Sequence, residues 1–274
     1  MKISLIQTNA RKNREENLRV VRELMLDAVK TDNPDLIVLP EYFEYFGGSV
    51  EETLAAAEVQ PGGAAYSMAS AFAREHGVYV HAGTIMEKVK GENRIYNTSF
   101  VFDRTGKEVA AYRKIHLFDV VAPDGAAYRE SDSVKPGDDI VTYEIDGLKV
   151  GCAICYDIRF FELFLQHEKA GCDIIVLPAA FTKLTGKDHW EVLARARAIE
   201  TQTYFVACGQ TGATVSGNET HYCWGHSLVC DPWGLIIAKA SDGVGFVTAR
   251  IDPAQIKRVR AILLTSHHRR LACG

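Results

Sequence analysis

The chain has 274 residues, a formal charge of −4 at pH 7 and hydrophobic residues at 47% of its positions. This length suits one large domain or two ordinary ones, and it can bury a substantial core. The mildly acidic balance gives no reason to expect nucleic acid as a partner, and no apolar run approaches the roughly 20 residues that span a membrane. The seven cysteines show no framework spacing, so we expect a protein of the reducing cytoplasm.

The first half of the chain predicts alternating strands and helices. A strand opens the chain, and a helix capped by Asn13 follows it. A strand over 36–39 precedes a second helix, which ends at Gly77. The next predicted strands cover 78–85, 96–102 and 108–112. The stretch 119–138 predicts a long loop, because it contains Pro123, Gly125, Pro136 and Gly137.

The second half repeats the pattern. Strands over 141–145 and 148–154 flank Asp146-Gly147, which is a strong hairpin signal. The elements predicted after them are a helix over 159–169, strands over 173–178, 204–209, 227–230 and 245–251, and a helix opened by Asp252-Pro253. The helix between the first two of these strands should bury Val192, Ala196 and Ile199, with Glu191 and Arg195 paired on its surface.

Residues 173–178 echo residues 35–40, which predicts that the two halves are built alike. The composition shows no linker-like shift anywhere in the chain. Strands and helices interleave throughout, so we predict a single α/β domain over residues 1–274.

Three chemically reactive side chains follow apolar, strand-like segments. Cys155 ends a strand pattern just before a helix, and a helix N-terminus favours the thiolate over the thiol. Glu41 follows the apolar run 36–40, and Lys114 follows the strand pattern at 108–112. Each residue alone would be interpreted as a core cysteine or a surface charge. Together, a nucleophile, a carboxylate and an ammonium group are the components of covalent amide chemistry.

Other patterns leave alternatives open. Cys152 and Cys155 form a Cys-x-x-Cys pair, but residues three apart in a strand point to opposite faces, so we favour a single nucleophile over a redox dithiol. His116 is a candidate base for Cys155, and nothing local distinguishes it from a structural histidine. His221, Cys223 and His226 lie close together and are possible metal ligands. Their spacing matches no standard zinc pattern, so we expect no metal and no cofactor.

The three reactive residues lie in motifs that resemble those of the nitrilase superfamily of carbon–nitrogen hydrolases. These motifs are Leu-Pro-Glu at Glu41, Tyr-Arg-Lys-Ile-His-Leu-Phe-Asp at Lys114, and Cys-Tyr-Asp-Ile-Arg-Phe at Cys155. The resemblance covers essentially the whole chain. Within the superfamily, residues 181–186 are similar to the deaminated-glutathione amidases, whereas residues 114–119 are similar to the omega-amidases.

The resemblance implies a four-layer α-β-β-α sandwich that associates through one outer face into homodimers or larger homo-oligomers. It also implies catalytic roles. Cys155 would attack an amide carbonyl, Glu41 would transfer protons, and Lys114 would stabilise the oxyanion together with the backbone N–H of Tyr156. Glu130 matches a second glutamate of the family, which would hold Lys114 and orient the substrate.

The implied substrate is a small molecule, an ω-amide of a carboxylic acid such as 2-oxoglutaramate or deaminated glutathione, hydrolysed through a thioester. We expect Phe181 and Thr182 to shape its pocket. Lys183 or Arg159 could bind a substrate carboxylate, although for Arg159 an internal pair with Asp157 is the favoured interpretation. The alternatives are a nitrilase, a general aliphatic amidase and a non-catalytic binding scaffold.

Overall fold

A computed structural model describes residues 1–121, 127–216 and 219–271. Pro123 and Gly125 of the predicted loop therefore lie outside the described residues. The elements of the first half are β1 (Lys2–Gln7), α1 (Arg14–Asp32), β2 (Leu36–Val38), α2 (Val50–Ala56), α3 (Ala64–His76), β3 (Tyr79–His81), β4 (Ile85–Lys88), β5 (Ile95–Phe102), β6 (Glu108–Arg113), β7 (Asp119–Val121) and β8 (Ala127–Arg129). Those of the second half are β9 (Thr142–Ile145), β10 (Leu148–Cys152), α4 (Phe161–Lys169), β11 (Ile174–Ala179), α5 (Lys183–Thr201), β12 (Tyr204–Gly209), β13 (Thr211–Ser216), β14 (Glu219–Trp224), β15 (Leu228–Cys230), β16 (Ile236–Lys239), β17 (Gly245–Arg250), α6 (Pro253–Ile262) and α7 (Thr265–His268).

The first sheet has the strand order β17-β1-β2-β3-β5-β4, with β6 paired to β5 as well. Its strands β1, β2 and β3 are parallel. Because successive side chains point to opposite faces, Leu5 and Val38 pack toward the second sheet while Ile6 and Ile37 pack against α1 and α3. Helix α1 begins at the predicted cap, since the Asn13 side chain accepts a hydrogen bond from the backbone N–H of Glu16.

The second sheet has the order β16-β15-β12-β11-β10-β9, and its strands β10, β11 and β12 are parallel. Helices α4 and α5 cover its outer face, and its inner face packs on the first sheet. Each sheet is thus built around three parallel strands with antiparallel neighbours, which confirms the predicted likeness of the two halves. The result is the expected four-layer α-β-β-α arrangement.

Some predicted strands and loops differ from the structure. Residues 78–85 form two strands rather than one, because the chain turns at Gly83 with a φ of 40°. A Cβ atom at this position would lie 2.0 Å from the carbonyl oxygen of Pro40. The predicted loop over 119–138 contains the two-stranded ribbon β7–β8. Sequence analysis also missed α2, β16 and the hairpin β13–β14.

The predicted buried face of α5 is wrong. Val192 and Ile199 are 66% and 46% exposed, whereas Trp190, Ala194 and Ala198 are fully buried. The real stripe has the same helical period, but it combines one large ring with small residues that let the helix approach the sheet closely. The predicted surface pair is also wrong, because Glu191 bonds to Lys239 and Arg195 donates to the carbonyl of Gly234.

Within the described ranges, no helix is both long and apolar enough to cross a membrane.

Candidate active site

The three reactive residues follow the carboxyl ends of strands. Glu41 follows β2, Cys155 follows β10, and Lys114 follows β6. Strand β6 runs parallel to β3, because both are antiparallel to β5. Glu41 and Lys114 therefore reach the same edge of the first sheet, where the turn after β10 brings Cys155 from the second sheet.

Lys114 lies between two carboxylates. Its Nζ is 3.0 Å from Oε1 of Glu41 and 2.9 Å from Oε2 of Glu130, and its side chain is only 2% exposed. Burial alone would lower the pKa of Lys114, but the charges of Glu130 and Glu41 outweigh it and raise this pKa well above its ordinary value. Lys114 is therefore a buried ammonium ion at neutral pH.

Glu41 is held by donors from both sheets. The side-chain amide of Asn97 donates to Oε1 at 2.8 Å, and the backbone N–H of Ala180 donates to Oε2 at 2.8 Å. The Gln210 amide donates to the main-chain carbonyl of Glu41 at 3.1 Å. Sequence analysis missed Asn97 and Gln210; the available signal was a polar residue within or directly after a buried strand.

Glu130 joins the ribbon β7–β8 to the rest of the site. It accepts hydrogen bonds from the backbone N–H of Phe118 at 2.6 Å and from the Tyr42 hydroxyl at 3.1 Å. Tyr42 itself has a left-handed backbone, with a φ of 55°. The second glutamate expected beside the lysine is therefore in contact with it.

Cys155 begins a short 3₁₀ turn, Cys155–Arg159, with a φ of 44° and 8% exposure. Burial and the neighbouring Glu41 carboxylate raise the pKa of its thiol well above the ordinary value, and Lys114 offsets only part of this effect. The expectation that the strand-to-helix junction favours the thiolate is wrong, because burial and the Glu41 carboxylate favour the neutral thiol. The resting nucleophile is a thiol and needs a base, and the adjacent carboxylate is that of Glu41.

The other candidate nucleophile, Cys152, and the other candidate base, His116, do not line the cavity that Cys155 lines. Cys152 is fully buried, and this burial raises the pKa of its thiol. The Nδ1 atom of His116 is 2.7 Å from Oδ1 of Asp157, and its ring stacks on Phe160. Within the described ranges six cysteines are free thiols, and Cys152 and Cys155 are among them.

A cavity of about 430 Å³ opens above Cys155. Phe181 and Thr182, which we expected to shape the pocket, line it together with Tyr156, the strap 41–50, the ribbon β7–β8 and the hairpin β13–β14. Arg129 on β8 also lines it, and sequence analysis missed this residue.

The predicted partner of Arg159 is wrong. Arg159 bonds to His189 and lies over the rings of Tyr156 and Phe181, while the Asp157 carboxylate accepts hydrogen bonds from other groups. Lys183 is exposed, with its Nζ 6.0 Å from the ring centroid of Tyr222, which lines the cavity. These two cations therefore lie over aromatic rings of the cavity wall.

The histidine- and cysteine-containing segment belongs to the cavity wall and its surroundings. Nδ1 of His221 is 3.2 Å from the Tyr128 hydroxyl, Cys223 is buried, and His226 pairs with Asp242. In the part of the chain that the structure describes, no three histidine, cysteine or acidic residues are grouped so that they could hold a metal ion. The expectation of a metal-free enzyme stays a prediction.

These features define a family. Residues 2–261 match the model of the carbon-nitrogen hydrolase family, and the chain belongs to that family. It is therefore an enzyme that hydrolyses carbon–nitrogen bonds, as the sequence motifs predicted.

Two curated relatives and one solved structure show which members the chain is similar to. A deaminated glutathione amidase of Synechocystis is 38% identical over 96% of both chains. An omega-amidase of Xenopus tropicalis is 36% identical over 98% of this chain and 95% of its own. The structure of Saccharomyces cerevisiae Nit3, a member of branch 10 of the nitrilase superfamily, has a TM-score of 0.88 at 30% identity and covers 99% of this chain and 97% of its own.

Proposed function

We propose that this carbon–nitrogen hydrolase is an amidase that cleaves an ω-amide of a carboxylic acid to the acid and ammonia, or an amine, through a thioester on Cys155. The observation that carries the proposal is the buried Lys114 between the Glu41 and Glu130 carboxylates, at the base of the cavity that Cys155 also lines.

The proposed reaction has two halves. Glu41 takes the proton of Cys155 as its sulfur attacks the amide carbonyl, and it then protonates the departing nitrogen. Lys114 and the N–H of Tyr156 stabilise the oxyanion, and such donors typically contribute about 3–4 kcal/mol each. Glu41 next activates a water molecule against the thioester, which releases the acid. The thiol of the resting state makes this base necessary, and the route needs no cofactor.

The proposed substrate is longer than a simple aliphatic amide. The cavity of about 430 Å³ falls in the range of sites that enclose drug-sized ligands, and aromatic rings line much of it. Relatives at similar identity include a deaminated glutathione amidase and an omega-amidase. The first of these names describes an amide that carries a carboxylate, and a compound of the size of deaminated glutathione suits this volume.

The candidate partners for the substrate carboxylate are Arg129, Arg159 and Lys183. Arg129 lines the cavity and is exposed, while Arg159 lies over the ring of Phe181 and Lys183 lies over the ring of Tyr222. We expect kcat/KM for an ω-amide acid to exceed that for its methyl ester by about tenfold or more, because ~1.4 kcal/mol of transition-state binding is a factor of ten. Equal values would rule out carboxylate recognition.

An ammonia-release screen tests the function directly. The panel contains 2-oxoglutaramate, 2-oxosuccinamate, deaminated glutathione assayed for amine release, simple aliphatic amides and matching nitriles. The proposal expects turnover of the carboxylate-bearing amides and not of the nitriles. Turnover of nitriles alone would indicate a nitrilase, equal rates on neutral amides would indicate a general aliphatic amidase, and no turnover would indicate a scaffold.

We also propose a homo-oligomer in the cytoplasm. The six free thiols among the described residues are all buried, which suits a reducing compartment. The exposed face of α5 presents Val192 and Ile199, and Gly234 packs against Ile199 so that Trp233 and Leu235 extend the same apolar surface. The double change Val192→Glu with Ile199→Glu should lower the mass measured by sedimentation velocity. An unchanged mass would exclude this face as the interface.

A further inference from the structure

Asp157 is a buried carboxylate for which the proposed reaction has no chemical use. It is 0% exposed and lies two residues after Cys155. Its two oxygens together accept four hydrogen bonds, from Ile154, Tyr112 and His116. Because an ionised carboxylate is strongly hydrated, its complete burial requires such a full set of donors.

The donors come from two separate segments. On one side, Oδ2 accepts from the backbone N–H of Ile154, the residue before Cys155, at 2.8 Å. On the other side, Oδ2 accepts from the Tyr112 hydroxyl at 2.7 Å, and Oδ1 accepts from the backbone N–H of His116 at 3.0 Å and from its Nδ1 at 2.7 Å.

Tyr112 and His116 flank Lys114 symmetrically, two residues before it and two residues after it. Asp157 therefore connects the turn that carries Cys155 in the second sheet to the end of β6 that carries Lys114 in the first sheet. Among the described residues, no main-chain hydrogen bond joins residues 112–116 to residues 152–157, and the two segments follow different sheets.

The turn at Cys155 needs such support. Cysteine with a φ of 44° is in the left-handed region, which is unfavourable for a residue with a side chain. Strained positions of this kind persist only where the surroundings hold them. A displacement of about 1 Å between reacting groups can cost about a hundredfold in rate.

We propose that Asp157 is a positioning residue that fixes the distance between the Cys155 sulfur and the Lys114 ammonium group across the two sheets. This inference rests on the proposed function, because it assumes that both groups act on one carbonyl. The predicted consequence is a loss in kcat with little change in KM when the connection is weakened.

The test compares two conservative changes in buried tyrosines. Tyr112→Phe removes one hydrogen bond to Asp157. Tyr143→Phe is the matched control, because Tyr143 is also buried and its hydroxyl bonds only to His81 among the described residues. We expect Tyr112→Phe to lower kcat about tenfold with KM within about twofold, and Tyr143→Phe to leave both parameters near the wild-type values. Equal effects of the two changes on kcat would overturn the inference.

A second measurement does not depend on the substrate. The rate at which iodoacetamide alkylates Cys155 in the intact protein should rise in Tyr112→Phe and in Asp157→Asn, because a loosened turn exposes the buried thiol. It should stay at the wild-type value in Tyr143→Phe. Unchanged alkylation in Tyr112→Phe would contradict the positioning role. A wild-type protein without amidase activity, but with this difference in alkylation, would refute the proposed function and leave the positioning of Cys155 by Asp157 supported.

Discussion

At Cys155 the surroundings determine the chemistry more than the residue type does. The thiol is buried beside Glu41, and both the burial and this carboxylate raise the pKa of the thiol. The nucleophilic thiolate therefore forms only when a base removes the proton. This differs from cysteine enzymes in which a cation or helix terminus stabilises a resting thiolate. It also explains why a carboxylate held by two donors from different sheets lies next to the sulfur.

Replacement of Cys155 tests its role as the nucleophile. Cys155→Ser should lower turnover by about 10³-fold or more, because the serine hydroxyl is far less acidic and Glu41 is a weak base for it. Thermal unfolding should stay close to that of the wild-type protein. Near-native turnover of the serine variant would refute the assignment.

Cys152 should behave differently from Cys155, although only two residues separate them. It is fully buried in the core and lines no part of the cavity above Cys155. We expect Cys152→Ala to lower the free energy of unfolding by about 1 kcal/mol and to leave turnover largely unchanged. If the well-folded variant lost all activity, the interpretation of Cys152 as structural would be wrong, and the redox dithiol would return as an explanation.

At the scale of elements, strand ends were predictable and the pairing between elements was not. Apolar runs ending in Glu41 and Cys155 placed these residues at sheet edges correctly. Asn97 and Gln210 were not predicted, because the role of a polar residue at a strand becomes clear only when its hydrogen-bond partner is known. The prediction of the buried face of α5 was wrong for a related reason. The exposed valine and isoleucine match the helical period as well as the buried alanines do.

Strand β3 carries a buried histidine that should make stability depend on pH. His81 is fully buried, with Nε2 2.8 Å from Ser99 Oγ and Nδ1 3.2 Å from the Tyr143 hydroxyl. Burial lowers its pKa from 6.5 to about 3. Between these values the unfolded chain binds the proton and the folded protein does not, so stability falls as the pH falls. At pH 5 this effect amounts to about 2 kcal/mol.

His81→Gln should remove this sensitivity to acid. The free energy of unfolding in urea, measured at pH 8 and at pH 5, should change by about 2 kcal/mol less in the variant than in the wild-type protein. Cys152→Ala keeps His81 and its hydrogen-bond partners and serves as the control, so it should retain the wild-type difference between the two pH values. The same pH difference in all three proteins would show that His81 does not contribute.

At the scale of the whole molecule, the likeness of the two halves explains the location of the site. Each sheet contributes parallel strands whose carboxyl ends meet at one edge, and the loops that follow them form the cavity. The motif resemblance predicted the four layers and brought Glu41, Lys114, Cys155 and Glu130 together. It could not predict the strap 41–50 or the hairpin β13–β14, because segments that shape the mouth of a cavity have no strong hydrophobic period. The extent of the domain, residues 1–274, stays a prediction.

The most direct test of the central claim is mass spectrometry of the protein quenched during turnover of a carboxylate-bearing amide. We expect the peptide that contains Cys155 to gain the mass of the acyl group, and we expect hydroxylamine to remove it, as it removes thioesters. Cys155→Ala should show neither the adduct nor ammonia release. Ammonia release by the alanine variant, or an acyl group on any residue other than Cys155, would contradict the account.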